Sequence, residues 1–205
     1  MDTRLTVNNI SCVRQLTPVF TNLSFTLSAG QALLIEGENG AGKSSLLRLL
    51  AGLATPASGN IIWEHSESIH YLGHQNGLKL DLTVRENIQL RYALITRDDV
   101  FTQASQHDPC HPIFQTLQLQ SLLNKPVRSL SAGQKRRVAL AMLWLHPKKI
   151  WILDEPLTAL DVNSQHFFID YLYKHLANSG IAIISSHHPI ALPDTQHQTL
   201  RLPIC

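Results

Sequence analysis

The sequence predicts an α/β fold in which a parallel sheet carries a helical insertion, and three observations lead there. Lys149-Ile-Trp-Ile-Leu-Asp154 and Ile181-Ala-Ile-Ile-Ser185 are continuous apolar runs of the kind buried on both faces of a parallel sheet. A helix-patterned stretch separates them, so the three together read as a strand–helix–strand crossover. Between Leu82 and Leu145 the texture turns from strand to helix.

In chain order, residues 1 to about 75 read as strands punctuated by turns and one helix. Ala32-Leu-Leu-Ile-Glu36 is a short apolar strand that runs into a glycine-rich turn. Lys43 to Ala51 follows as a helix, with Leu46, Leu47, Leu49 and Leu50 on its buried side and Gly52 as its stop. Thr83-Val-Arg-Glu86 and Ser131-Ala-Gly-Gln134 both match the capping box, in which the N-cap hydroxyl and the N3 side chain satisfy each other's orphan amides. Behind the second box, Val138, Ala141, Met142 and Leu145 recur at helical spacing. A last helix spans Ser164 to about Asn178, with Phe168, Leu172 and Leu176 on one stripe. Thr96 to Pro112 is the least patterned stretch and reads as lobe surface.

Composition narrows the function classes. With 205 residues, 44% hydrophobic and 16% charged, the chain can bury about 70% of its unfolded surface, so the core needs no disulfide or metal staple. A net charge of +2 with this hydrophobicity excludes disorder and does not support a nucleic-acid binder. The longest apolar run, Val138 to Leu145, is far too short to span a membrane. The start MDTRLTVNNI shows no secretory signal. Cys12, Cys110 and Cys205 are odd in number and far apart, which fits a reducing compartment. The sparse charge hints that some surface belongs against a partner.

Gly37-Glu-Asn-Gly-Ala-Gly-Lys43-Ser44 matches G-x-x-x-x-G-K-[ST] and sits after a strand and before a helix, as phosphate binding requires. Glycines let backbone amides converge on phosphates, and the helix N-terminus adds partial positive charge. Lys43 would reach the β- and γ-phosphates, and the Ser44 hydroxyl would ligate Mg²⁺. Ile150-Trp-Ile-Leu-Asp154-Glu155 is the second half of such a site. Its strand carries Asp154 to the Mg²⁺ shell, and Glu155 is placed to polarise a water as general base.

Leu130-Ser-Ala-Gly-Gln134 resembles the LSGGQ signature of ATP-binding-cassette (ABC) ATPases, with Ala132 in place of the first glycine. Gln75 matches the Q-loop glutamine, Thr158-Ala-Leu-Asp161 the D-loop, and His187 the switch histidine, in family order along the whole chain. The resemblance implies a P-loop NTPase fold with a mixed or parallel core sheet, an N-terminal antiparallel β subdomain and an inserted α-helical lobe. It implies one domain over 1–205, with 1–75 and 146–205 as core and 76–145 as signature lobe. It also implies ATP and Mg²⁺ as cofactors and a head-to-tail homodimer with two ATP molecules at its interface. Carried over residue by residue, Glu155, His187 and Lys43 are catalytic. ATP is held by Gly37, Glu38, Asn39, Gly40, Ala41, Gly42, Lys43, Ser44 and Ser45, with Gln75 and Asp161. Leu130, Ser131, Gly133 and Gln134 reach the ATP of the opposite subunit. Ser44, Gln75 and Asp154 take Mg²⁺. The aromatic residue that the family stacks on adenine is missing from Ile10-Ser-Cys-Val-Arg14, which leaves Val13, Arg14 and Phe20 as candidates.

Within the family, four stretches resemble the ATP-binding subunits of the cytochrome c maturation heme exporter. They are Leu72–Lys79, Leu130–Leu145, Trp151–Asp161 and Ser186–Ile190. Leu157, Met142 and His188 depart from the phenylalanine, arginine and glutamine expected there. This branch implies a peripheral subunit on the cytoplasmic face of a bacterial inner membrane, working with integral membrane subunits that handle heme. It does not give this subunit heme binding of its own. The cluster His107-Asp-Pro-Cys110-His111 offers soft ligands but lacks a second group at recognisable spacing, and reads as solvated loop. Three other readings stand beside this one: another importer or exporter ATPase, a soluble ABC ATPase acting on DNA or ribosomes, and a P-loop kinase. The single cassette without heptads weighs against the second, and Leu130–Gln134 against the third.

Overall fold

The structure is a computed structural model and describes residues 3–64, 69–96, 112–187, 189–193 and 196–202. The cluster at His107, Cys110 and His111, His188, and the interior of the unpatterned stretch lie outside the described residues. Thr96 and Pro112, the ends of that stretch, are helical. The chain forms two compact units, one of residues 1–74, 148–157 and 166–205 and one of residues 75–147 and 158–165.

The first unit holds two sheets. The strands β1 (Arg4–Arg14), β2 (Thr17–Ser28) and β4 (Ser58–Glu64) form an antiparallel sheet in the order β2-β1-β4. The strands β3 (Ala32–Glu36), β5 (Ile69–Leu72), β6 (Ile150–Asp154), β7 (Ile181–Ser185) and β8 (His197–Arg201) form the second, in the order β5-β6-β7-β3-β8. All of its recorded pairings are parallel. Every residue of β6 and β7 is buried, as their unbroken apolar runs require of strands covered on both faces.

One core joins both sheets. Leu5, Val7, Ile10, Phe20 and Leu27 of the antiparallel sheet pack in one cluster with Leu33 and Ile35 of β3 and with Ile150, Ile152, Ile181 and Ile183. The helix α1 (Lys43–Leu50) adds Leu46, Leu47, Leu49 and Leu50 to it, as its periodicity predicts. The first unit also takes most of α5 (Val162–Ala177), in which Phe168, Leu172 and Leu176 are the buried stripe. This helix starts two residues before the predicted Ser164, because Asp161 Oδ1 accepts the Ser164 amide at 2.9 Å and caps its first turn.

The second unit carries α2 (Val84–Thr96), α3 (Pro112–Thr116) and α4 (Ala132–Leu145). Both predicted capping boxes form. The Thr83 amide donates to Glu86 Oε2 at 2.7 Å and the Glu86 amide to Thr83 Oγ1 at 3.2 Å. The Ser131 amide donates to Gln134 Oε1 at 2.9 Å and the Gln134 amide to Ser131 Oγ at 3.2 Å. Asn87, 4% exposed, fastens the segment before α2. Its amide nitrogen donates to the Lys79 and Thr83 carbonyls, and its carbonyl accepts the Lys79 amide at 2.7 Å. Among the described residues, no helix is long and apolar enough to cross a membrane.

Candidate functional site

In the first unit the glycine-rich turn joins β3 to α1 as the motif demands. Gly42 caps α1 with φ of 95°, a left-handed conformation that glycine adopts without steric cost. A side chain there would also strike Val19 and the Phe20 ring. Phe20 is therefore packing under the loop, only 2% exposed, and is not available to stack a base. Of the three adenine candidates, Val13 and Arg14 lie exposed.

Lys43 is buried at 8% exposure, yet its ammonium is satisfied. It donates to the Gly37 carbonyl at 2.6 Å and the Glu38 carbonyl at 3.1 Å, and lies 3.3 Å from His187 Nε2. A buried cation tied to carbonyls of the turn, at the N-terminus of α1, is a positive centre that fits phosphate oxygens. The exposed Ser44 hydroxyl donates to Asp154 Oδ2 at 2.6 Å. Asp154 ends β6 at 3% exposure, and its second oxygen accepts the Ser185 hydroxyl, also at 2.6 Å. A hydroxyl and a carboxylate side by side are hard oxygen donors, suited to a cation that keeps several waters. These residues therefore could hold Mg²⁺.

Glu155 follows in the left-handed conformation, with φ of 50°. Its carboxylate accepts the His187 amide at 3.1 Å and lies 3.3 Å from His187 Nε2. The same ring nitrogen is 3.1 Å from Asn39 Oδ1. Nε2 carries either a proton or a lone pair, so it donates to these oxygens or accepts from Lys43, and the tautomer selects the partner. Six predicted residues thus meet: Asn39, Lys43 and Glu155 around His187, and Ser44 on Asp154, the two sets being joined through the Ser185 hydroxyl, which donates to Asp154 and accepts the Glu155 amide. Gly37, Glu38, Gly40, Ala41 and Ser45 frame this cluster.

The remaining predicted residues belong to the second unit. Gln75 is exposed on the segment after β5. Its neighbour Asn76 accepts from Arg136 Nη1 at 2.8 Å. Arg136, 4% exposed, ties the Q-loop to α4, a role that its place in the basic run Lys135-Arg136-Arg137 does not signal. Leu130 is buried and Ser131 exposed. The Ser131 oxygen accepts the cap bond while its proton remains to donate, whereas Gln134 Oε1 is turned back onto the Ser131 amide. Gly133 faces the D-loop so closely that a Cβ would collide with the Ala159 carbonyl oxygen. Asp161 lies 3.9 Å from Arg137. The Ser164 amide, helped by the Ser164 hydroxyl and by Arg137, holds its carboxyl below the usual carboxylate range.

Comparison with known proteins agrees with this geometry. The family model described as "ABC transporter" matches residues 20–158, and with the fold it defines an ABC-type ATP-binding protein. Curated relatives named "Cytochrome c biogenesis ATP-binding export protein CcmA" match along nearly the whole chain. The one from Methylococcus capsulatus is 41% identical over 92% of this chain and 93% of its own length. That of Vibrio cholerae is 39% identical over 97% and 98%, and that of Escherichia coli K12 36% over 97% and 96%. Among solved structures, an ABC transporter ATP-binding protein from Pyrococcus furiosus superposes with a TM-score of 0.75 at 25% identity, covering 97% of both chains. An ATP-binding subunit of an ABC transporter gives 0.77 at 23% identity over 89% and 79%, a likeness of fold. The chain belongs to the ABC transporter family of ATP-binding subunits and, within it, to the group of the CcmA proteins.

Proposed function

We propose that this chain is the ATP-hydrolysing subunit of the heme exporter of cytochrome c maturation, a peripheral protein on the cytoplasmic face of a bacterial inner membrane. Heme export, or release of heme from a membrane-bound chaperone, is the work its hydrolysis drives, through integral membrane subunits. The observation that carries the ATPase reading is the cluster in which Lys43 and Glu155 meet at His187 while the Ser44 hydroxyl bonds Asp154 on the neighbouring strand end.

The roles follow from the chemistry of each group. Residues 37–45 cradle the triphosphate, with Lys43 exchanging its carbonyl partners for phosphate oxygens. Val13 and Arg14 are the residues of the missing aromatic position that are exposed to meet adenine. Ser44 and Asp154 would hold Mg²⁺, which when bound neutralises phosphate charge. Glu155 accepts the proton of the attacking water, and His187 donates to the γ-phosphate. Ser131, Gly133 and Gln134 at the start of α4, with Asp161, complete the site of a second copy, so the working form is a homodimer with two ATP molecules at its interface.

The test is a host strain in which the chain is the sole copy of this subunit. With Lys43→Ala, covalent heme in periplasmic cytochrome c is expected to disappear while the protein stays at its wild-type level. Unchanged heme-stained cytochrome c with an ATPase-dead chain would remove the export reading.

A further inference from the structure

Ser185 reads in the sequence as the last residue of an apolar run, and nothing about it signals chemistry. In the fold it is fully buried and stands opposite Asp154 in the parallel register of β6 and β7. Its hydroxyl donates to Asp154 Oδ1 at 2.6 Å and accepts the Glu155 amide at 3.0 Å, an amide that also donates to the Ser185 carbonyl at 3.0 Å. A 2.6 Å O–H···O⁻ bond is short and charge-assisted. We propose that Ser185 is a positioning residue that sets both acidic residues at once. It rests on the reading of Asp154 as the metal carboxylate and Glu155 as the general base.

The two oxygens of Asp154 are held differently. Oδ2 takes the hydroxyl of Ser44, an exposed residue, in a bond that is only part-buried. Oδ1 takes the buried Ser185 hydroxyl, for which no water competes. Ser185 therefore fixes the plane of the carboxylate while the Oδ2 side stays able to exchange. The bond to the Glu155 amide anchors the chain where it leaves the strand for φ of 50°. An L-residue reaches that conformation only against a steric cost, so it persists where its surroundings hold it. From there the Glu155 carboxylate meets His187. One hydroxyl thus links the carboxylate offered to the metal with the turn that aims the base.

Ser185→Ala removes the hydroxyl and leaves the strand pairing and the Ser185 carbonyl in place. Outer-shell partners of metal ligands typically account for about 10- to 100-fold in metal affinity or activity. The measurements are calorimetric affinity for ADP with Mg²⁺ and with chelator, steady-state kcat, and melting temperature. For Ser185→Ala, metal-free ADP affinity is expected within about twofold of wild type. The gain in affinity that Mg²⁺ confers is expected to shrink about tenfold, and kcat to fall about 10- to 100-fold. Ser185→Thr, which keeps the hydroxyl, is expected to recover both. A lowered melting temperature with full Mg²⁺ gain and full kcat would make Ser185 merely structural and overturn the proposal. So would a folded Ser185→Thr that behaves as Ser185→Ala. Asp154→Asn separates the two levels. If it leaves the Mg²⁺ gain intact, the metal reading of Asp154 fails. If it abolishes the gain while Ser185→Ala does not, only the role of Ser185 falls.

Discussion

Gly133→Ala tests whether the signature helix and the D-loop form one rigid piece. Gly133 is the second residue of α4, where alanine is favoured over glycine by about 1 kcal/mol. On propensity alone the substitution stabilises. Against it, the new Cβ would come closer than 3.0 Å to the Ala159 carbonyl oxygen. That oxygen is backbone and cannot rotate away as a side chain would. Ala159 itself has φ of 64°, Leu160 beside it is 9% exposed, and Asp161 is bound to the first turn of α5. Overpacking of this kind costs about 1–3 kcal/mol. The net effect is therefore a loss of about 0–2 kcal/mol, or at most roughly 8 °C in melting temperature for a chain of this length. The functional effect is larger. Relieving the contact shifts the D-loop against Ser131 by about an ångström, a misplacement that can cost about 100-fold in rate. Steady-state hydrolysis is expected to fall about that much, while nucleotide affinity of the single subunit, set by residues 37–45, stays within about twofold. A higher melting temperature with wild-type kcat would refute the argument, because it would mean the D-loop gives way freely.

Two further outcomes are expected. Glu155→Gln keeps the hydrogen-bonding shape of the base and removes its proton acceptance. It should trap an ATP-bound dimer visible by size-exclusion chromatography with Mg-ATP, and a monomer under those conditions counts against the base assignment. His175 stacks on Trp151 with ring centroids 3.9 Å apart and lies 3.1 Å from the Ile181 carbonyl. Burial, with the nearby Lys149 charge, pushes its pKa from 6.5 down to about 4. Because the folded value is the lower one, this contribution is intact above pH 6.5 and is lost as pH falls from 6.5 to 4, about 3 kcal/mol in all. Urea unfolding should show that loss reduced in His175→Phe, which keeps an aromatic ring beside Trp151. An identical acid loss in both proteins would show that His175 is not its source.

What the sequence disclosed and what it withheld divide along a physical line. The loop at residues 37–44, both capping boxes and the strands ending at Asp154 and Ser185 were legible because each is a local pattern, set by neighbours within a few residues. Ser185, Arg136 and Asn87 were not. Ser185 acquires its role from strand register, which pairs it with Asp154 across 31 positions. Arg136 acquires its role from Asn76, 60 positions away. Asn87 was hidden behind its own helix pattern, since a polar residue inside α2 looks like a solvated face. Phe20 shows the converse error. As an aromatic near the expected base site it looked usable, but the alternation of β2 turns it inward beneath Gly42.

The missed residues share one property. Ser185, Arg136 and Asn87 are each buried below 5% exposure. A buried polar side chain persists only when its hydrogen bonds are met, so each marks a point where the fold specifies geometry and not merely compactness. In the first unit that point is the strand end that carries Asp154 and Glu155. In the second, Asn76–Arg136 and the Asn87 clamp fasten both ends of the segment from the Q-loop to α2, and Arg136 joins it to the helix that begins at Ser131. A push received by that segment would therefore reach Ser131 through Arg136 rather than be absorbed in a loose loop. Arg136→Met, which keeps the length of the side chain and removes the bond to Asn76, separates transmission from hydrolysis. Coupled ATP turnover with the membrane subunits should fall while the basal rate of the purified subunit changes little, and equal losses in both would refute the linkage.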